Sequence, residues 1–127
     1  MKDFRDLEVW KHAHQLTLEA YRQSKNFPPD ERFGLTSQIR RCAASIPANI
    51  AEGCDRRGDG EFHRFLQIAM GSASELEYHL LSARDLEYLD RNIHVAMEQE
   101  AVRVKRMLAA LLRKVDEDRE RSRAAGA

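Results

Sequence analysis

The sequence predicts an all-α fold, an antiparallel up-down four-helix bundle whose second helix is kinked at Pro47. Three observations lead there. Apolar residues recur at three- and four-residue steps along four successive stretches, the mark of amphipathic helices. The breaks between them are short, among them Pro28-Pro29 and a glycine-rich turn, so neighbours in sequence become neighbours in space. No stretch alternates with the period of a strand. At 127 residues the chain has the length of one domain with a real core.

The first helix is predicted over residues 6–24, with Asp6 as its N-cap. Leu7, Trp10, Ala13, His14, Thr17, Ala20 and Tyr21 form its apolar stripe, widened by Val9, Leu16 and Leu18. Asn26-Phe27-Pro28-Pro29 cannot continue a helix. The second helix is predicted over 30–55, with Leu35, Ile39, Cys42, Ala43, Ile46 and Ile50 facing inward. Pro47 lies inside it and removes the amide that would bond the Ala43 carbonyl, which predicts the kink. Gly53 to Gly60 is rich in turn formers and ends it.

The third helix is predicted over 59–88 with Asp59 as its cap. Its stripe is Phe62, Phe65, Leu66, Ala69, Met70, Ala73, Leu76, Leu80 and Ala83. The fourth is predicted over 90–117, where Ile93, Met97, Ala101, Val104, Leu108, Leu111 and Val115 hold a heptad-like spacing. The domain is therefore expected to occupy residues 1–117. The tail, 118–127, has no apolar periodicity and is expected to fray.

Charge narrows the function classes. Lysine and arginine number 21, and so do aspartate and glutamate, so the formal net charge is zero. That gives no global attraction to phosphate, and 43% hydrophobic residues argue against disorder. The N-terminal residues Met1 to Asp6 have no apolar signal core behind them. Uncharged stretches such as 42–51 fall far short of the roughly 20 residues that span a bilayer. A soluble, cytoplasmic protein with no membrane association is expected. Cys42 and Cys54, on one helix, would stand about 18 Å apart, too far for a bridge, and read as packing thiols.

A second stripe on the second helix is polar. Gln38, Arg41, Ser45, Asn49 and Glu52 follow at steps of three and four and share one face. Gly71, Ser72, Glu75 and His79 do the same on the third helix. Folding one helix back on the other sets Arg41 against Glu75 as an ion pair and Ser45 against Gly71, with Gly71 permitting close approach. The stripe reads first as a register-fixing polar layer or subunit interface, and second as a ligand or partner site.

Catalysis has little support. Ser45 and Cys54 have no histidine within local reach. Gly53 to Gly58 has the opening glycine spacing of a phosphate loop, but Asp59-Gly60 stands where lysine and a hydroxyl residue belong. Glu75 and His79, four apart, read as a surface pair, and no histidine or cysteine spacing suggests zinc, so no metal or cofactor is expected. Arg56 and Arg57 in the turn, with Arg103, Lys105, Arg106, Arg113 and Lys114 on the fourth helix, read either as a solvated face or as contacts to RNA or another acidic partner. No aromatic interleaving favours base stacking there.

These same residues carry a family resemblance. Gly34 to Arg41, the segment Ser45-Ile46-Pro47-Ala48-Asn49-Ile50-Ala51-Glu52-Gly53, and then Glu61-Phe62, Phe65-Leu66, Ala69, Gly71-Ser72 and Glu75-Leu76-Glu77 resemble the bacterial 23S rRNA intervening-sequence proteins. Leu7, Val9, Trp10, Ala13, Leu16 and Phe27-Pro28 are similar to that family as well. Its name reflects a genomic location and not an activity. Related accessory proteins of diversity-generating reverse transcriptases form pentameric rings that bind nucleic acid and the transcriptase. The resemblance therefore implies a homo-oligomer, a pentamer, used as a scaffold or adaptor, with RNA binding as the alternative. The nucleic-acid-binding relatives are basic and this chain is neutral, which ranks the scaffold first.

Overall fold

A computed structural model describes residues 3–126. After a 3-10 turn at Phe4–Asp6 comes α1 (Glu8–Ser24). A second 3-10 turn at Pro29–Glu31 leads to α2 (Leu35–Asp55), α3 (Asp59–Asp85) and α4 (Arg91–Gly126). No strand occurs among the described residues. Pairs between helices fix their directions. Thr17 reaches Ala43 and Arg40 reaches Ser24 between α1 and α2, and Ser45 meets Ser72 between α2 and α3. Glu77 meets Lys105, and His63 meets Asp116, between α3 and α4. Farther along, Gly53 of α2 lies against Phe62 of α3. In each pairing one number rises as the other falls, so neighbours run antiparallel.

The helix ends differ from expectation in instructive ways. Asp6 does not cap α1. It lies in the 3-10 turn, which Asp3 caps by accepting from the Arg5 amide, and Leu7 holds the N-cap position of α1 without a side-chain bond. Helix α2 begins at Leu35 rather than 30, because Gly34 breaks the run; the Glu31 carboxylate accepts the Leu35 amide from outside the helix. Asp59 is the first residue of α3, and Gly58, at φ 82°, holds the cap position where glycine tolerates that backbone. The left-handed Glu87 at φ 65° turns the chain after Asp85, so α3 stops short of 88. Helix α4 does not end at 117 but continues to Gly126. Its last turns are built from Arg, Glu and Ala, strong helix formers, with an Arg121–Asp118 pair.

The core follows the apolar stripes. Ile39, Ile46, Ile50, Leu66, Leu76, Leu80, Val104 and Leu108 are almost completely buried. On α1 the inward row is Val9, Ala13, Leu16, Thr17, Ala20 and Ser24. Trp10 and His14 lie one position over, stacked on each other with ring centroids 4.9 Å apart, and Tyr21 is exposed under the Arg40 guanidinium. His94 also enters the core, 2% exposed, which its neighbours in sequence did not announce.

Helix α2 runs unbroken through Pro47. Proline has no amide hydrogen, so the Ala43 carbonyl loses its helical donor in the middle of the core. The Thr17 hydroxyl of α1 stands in, donating to that carbonyl at 2.9 Å. The same hydroxyl lies 2.9 Å from the Ala13 carbonyl, but that one retains the Thr17 amide as its helical partner, so Ala43 has the greater need. Replacing Thr17→Val keeps shape and removes the donor. It should lower the unfolding free energy by about 1–3 kcal/mol, the cost of a buried orphan carbonyl. In a Pro47→Ala background, where an amide returns, the same substitution should cost about 1 kcal/mol less. A double-mutant cycle by urea unfolding checks the coupling.

Candidate functional site

The seam between α2 and α3 contains only the middle of the expected polar stripe, Ser45 and Asn49 of α2 with Ser72 of α3. Ser45 Oγ and Ser72 Oγ are 2.8 Å apart. Asn49 Nδ2 donates to the Ser45 carbonyl at 2.8 Å and to Ser45 Oγ at 2.9 Å, all half-buried. The stripe's outer members do not join them. Gln38, Arg41 and Glu52 are exposed, and Glu52 pairs with Arg56 one turn along.

The expected Arg41–Glu75 ion pair does not form. Ser45 faces Ser72 and not Gly71, and the residue one turn before Ser45 on the seam is Cys42. A helix turns about 100° per residue, so Arg41, one residue from Cys42, projects into solvent. Glu75 instead meets His79 at 3.2 Å. Gly71 likewise is not the point of close approach, since a Cβ there would touch nothing within 4 Å. Gly53 is: its added Cβ would lie 3.0 Å from Phe62 Cδ1 and 3.0 Å from Phe65 Cβ.

The seam brings together a trio the sequence had not joined. Ligand atoms of Cys42, Glu75 and His79 all lie within 4.8 Å of one another. Burial, and then the Glu75 carboxylate, push the Cys42 thiol up to about 12. Its Sγ has a weak contact, 3.6 Å, to the Ile39 carbonyl. Cys42 sits within the apolar stripe, so its pattern reads as packing. Only the register of α3 against α2 places a carboxylate and an imidazole over it.

The basic residues divide into three groups. Lys105 turns to α3 and pairs with Glu77 at 2.8 Å, both largely covered. Arg103, Arg106 and Arg113 lie on an exposed face of α4, with Arg103 3.7 Å from Glu100. Arg56, Arg57 and Lys114 gather at the end of the bundle, around a groove of 410 Å³ floored by Gly53, Phe62 and Val115 and edged by Asp59 and Asp118.

Fold and seam together define a four-helix protein with a small half-buried polar cluster, Ser45, Asn49 and Ser72, between α2 and α3. The sequence profile of the 23S rRNA-intervening sequence protein family matches residues 5–110, and the chain belongs to that family. Among solved structures it is similar to a protein of unknown function from the S23 ribosomal protein family of Bacteroides thetaiotaomicron. The two are 24% identical with a TM-score of 0.77, over 83% of this chain and 95% of that one, a likeness of fold. No curated protein matches the chain. No helix among the described residues is long and apolar enough to cross a membrane.

Gly53 and Gly71 give opposite expectations. Gly53→Ala forces Phe62 and Phe65 apart and should cost about 1–3 kcal/mol, as overpacking does. Gly71→Ala meets nothing and should stabilise α3 by roughly 0.5–1 kcal/mol. Thermal unfolding of the two variants beside the parent chain tests the assignment.

Proposed function

We propose that the chain is a non-catalytic, cytoplasmic subunit of a homo-oligomer, a pentamer, that serves as a scaffold or adaptor. The observation that carries this reading is the outer side of α3, where Tyr78 is 64% exposed, Ile68 40% and Leu81 36%. Tyrosine is enriched at interaction surfaces, and Tyr78 is the most exposed of these three. A concave counterpart lies on another side of the bundle. The groove between α1 and α4 has a volume of 550 Å³ and is lined by Leu16, Ile93, Ala96 and Met97 with His12 and Glu100 at its edge. Unlike faces on one subunit suit head-to-tail contacts, which close into rings. The stoichiometry rests on the family resemblance. Native mass spectrometry of the purified chain should give five times its 14.7 kDa mass, and Tyr78→Glu should shift it to monomer. A monomeric parent chain would overturn the reading.

RNA binding is the second reading, favoured by Arg57 and Lys114 around one groove with Phe62, with Arg56, paired to Glu52, beside them. Neutral overall charge does not weaken a local site of this kind at short range. Lys105, already neutralised by Glu77, leaves the set of contacts. Anisotropy titrations with single-stranded RNA at several salt concentrations should show affinity falling as salt rises. Arg57→Ala and Lys114→Ala should each reduce the slope by about 0.7–1, and Lys105→Ala should leave it unchanged. Affinity independent of salt would remove this reading.

A further inference from the structure

We propose that Cys42, Glu75 and His79 form a site for a borderline divalent cation, Zn²⁺ above all, at the seam of α2 and α3. The donor set argues for this class of ion. Thiolate, imidazole and carboxylate together suit zinc, whereas magnesium and calcium take oxygen donors throughout. The topology argues the same way. Metal sites in helical bundles are built by side chains from facing helices. Here Glu75 and His79 stand one turn apart on α3, and Cys42 comes from the facing α2.

The distances are close to those of a loaded site. Zinc bonds of roughly 2.0–2.3 Å put tetrahedral donor atoms about 3.3–3.8 Å apart. The Glu75–His79 edge is already 3.2 Å, and all three atoms lie within 4.8 Å, so small side-chain rotations close the set. The site has an entry path, because the Glu75 side chain is 54% exposed while that of His79 is 17%. When the sulfur–metal bond forms, the thiol proton passes to water. The thiolate and carboxylate then balance the charge of the cation in a half-buried place. Three protein donors leave the fourth position to water or another ligand.

Sequence spacing alone made Glu75 and His79 a surface pair, because the third donor comes from another helix. The proposal stands apart from both the scaffold and the RNA readings, since it requires neither a second copy nor a nucleic acid.

The test is cobalt titration of the full chain after treatment with a chelator. Co²⁺ reports a bound thiolate through a sulfur-to-metal charge-transfer band in the near ultraviolet, and its visible bands report tetrahedral geometry. The expected result is one Co²⁺ per chain with both signatures, displaced by Zn²⁺. Cys42→Ala should abolish the charge-transfer band, and Cys54→Ala should leave it intact. Glu75→Gln and His79→Gln should each weaken Co²⁺ affinity by about tenfold or more, since even residues that only support ligands cost that much. Far-ultraviolet circular dichroism confirms that each variant is folded; Glu75→Gln, on an exposed side chain, keeps the test valid if Cys42→Ala unfolds. No thiolate band in the parent chain, a band that survives Cys42→Ala, or parent-like affinity in both α3 variants would overturn the proposal.

Discussion

The carbonyl of Ala43 loses its helical donor to Pro47 and takes one from Thr17, and the placement of α1 against α2 rests on that exchange. A buried carbonyl without a partner is costly, so α1 cannot rotate or slide against α2 without exposing the defect. The Arg40–Ser24 bond at 2.8 Å ties the same two helices near the end of α1. With α1 held on one flank of α2, the other flank is left for α3. There Ser45 and Asn49 bracket Pro47 in sequence; Asn49 donates to Ser45, and the Ser45 hydroxyl meets that of Ser72. The proline that removes one bond thus stands between two polar contacts, one to each neighbouring helix.

Charge is distributed by the same economy. Many ion pairs are local, such as Lys11–Glu8, Arg22–Glu19 and Arg64–Glu61, each three residues apart on an exposed helix face. Pairs of this kind, screened by solvent, contribute little to stability and mainly keep the surface wet. Others cross between helices. The Lys105–Glu77 ion pair joins α4 to α3, His63 contacts Asp116 at 3.0 Å across the same two helices, and the Tyr88 hydroxyl donates to Glu31 at 2.9 Å, tying the two loops at one end. Neutrality of the whole chain therefore coexists with an uneven surface, in which the Arg57 and Lys114 end differs from the tyrosine-bearing side of α3.

Much of this was legible in the sequence. Repeats of three and four residues named the four helices and nearly all of their buried positions, because burial of an apolar stripe dominates helix placement. What periodicity cannot supply is the rotation of one helix against the next. On α1 the row through Trp10 and His14 and the row through Val9 and Leu16 are almost equally apolar, and packing chose the second. On α2 the polar row through Arg41 and the apolar row through Cys42 differ by one residue. That single step decides whether Glu75 meets a guanidinium or a thiol. The Thr17 donor was hidden for a related reason: the sequence announces the missing amide at Pro47, but its replacement lies 26 positions from the Ala43 carbonyl it serves. The extension of α4 past 117 leaves no mark in the apolar pattern, because that segment is helical by propensity and local pairs alone.

That last segment separates continuity from cooperativity. Helix α4 has 36 residues against 27 in α3. Asp116 is already opposite His63 in the first turns of α3, and Arg119 reaches Gly60, so residues 120–126 pass the end of the bundle and are exposed. Amides around Ala101, Val104 and Leu108 can exchange with solvent only when the bundle opens. Those beyond Arg119 need only local fraying, which takes little free energy. Hydrogen exchange should therefore divide one geometrically uniform helix into a slow segment and a fast one, with the border set by the length of its neighbour.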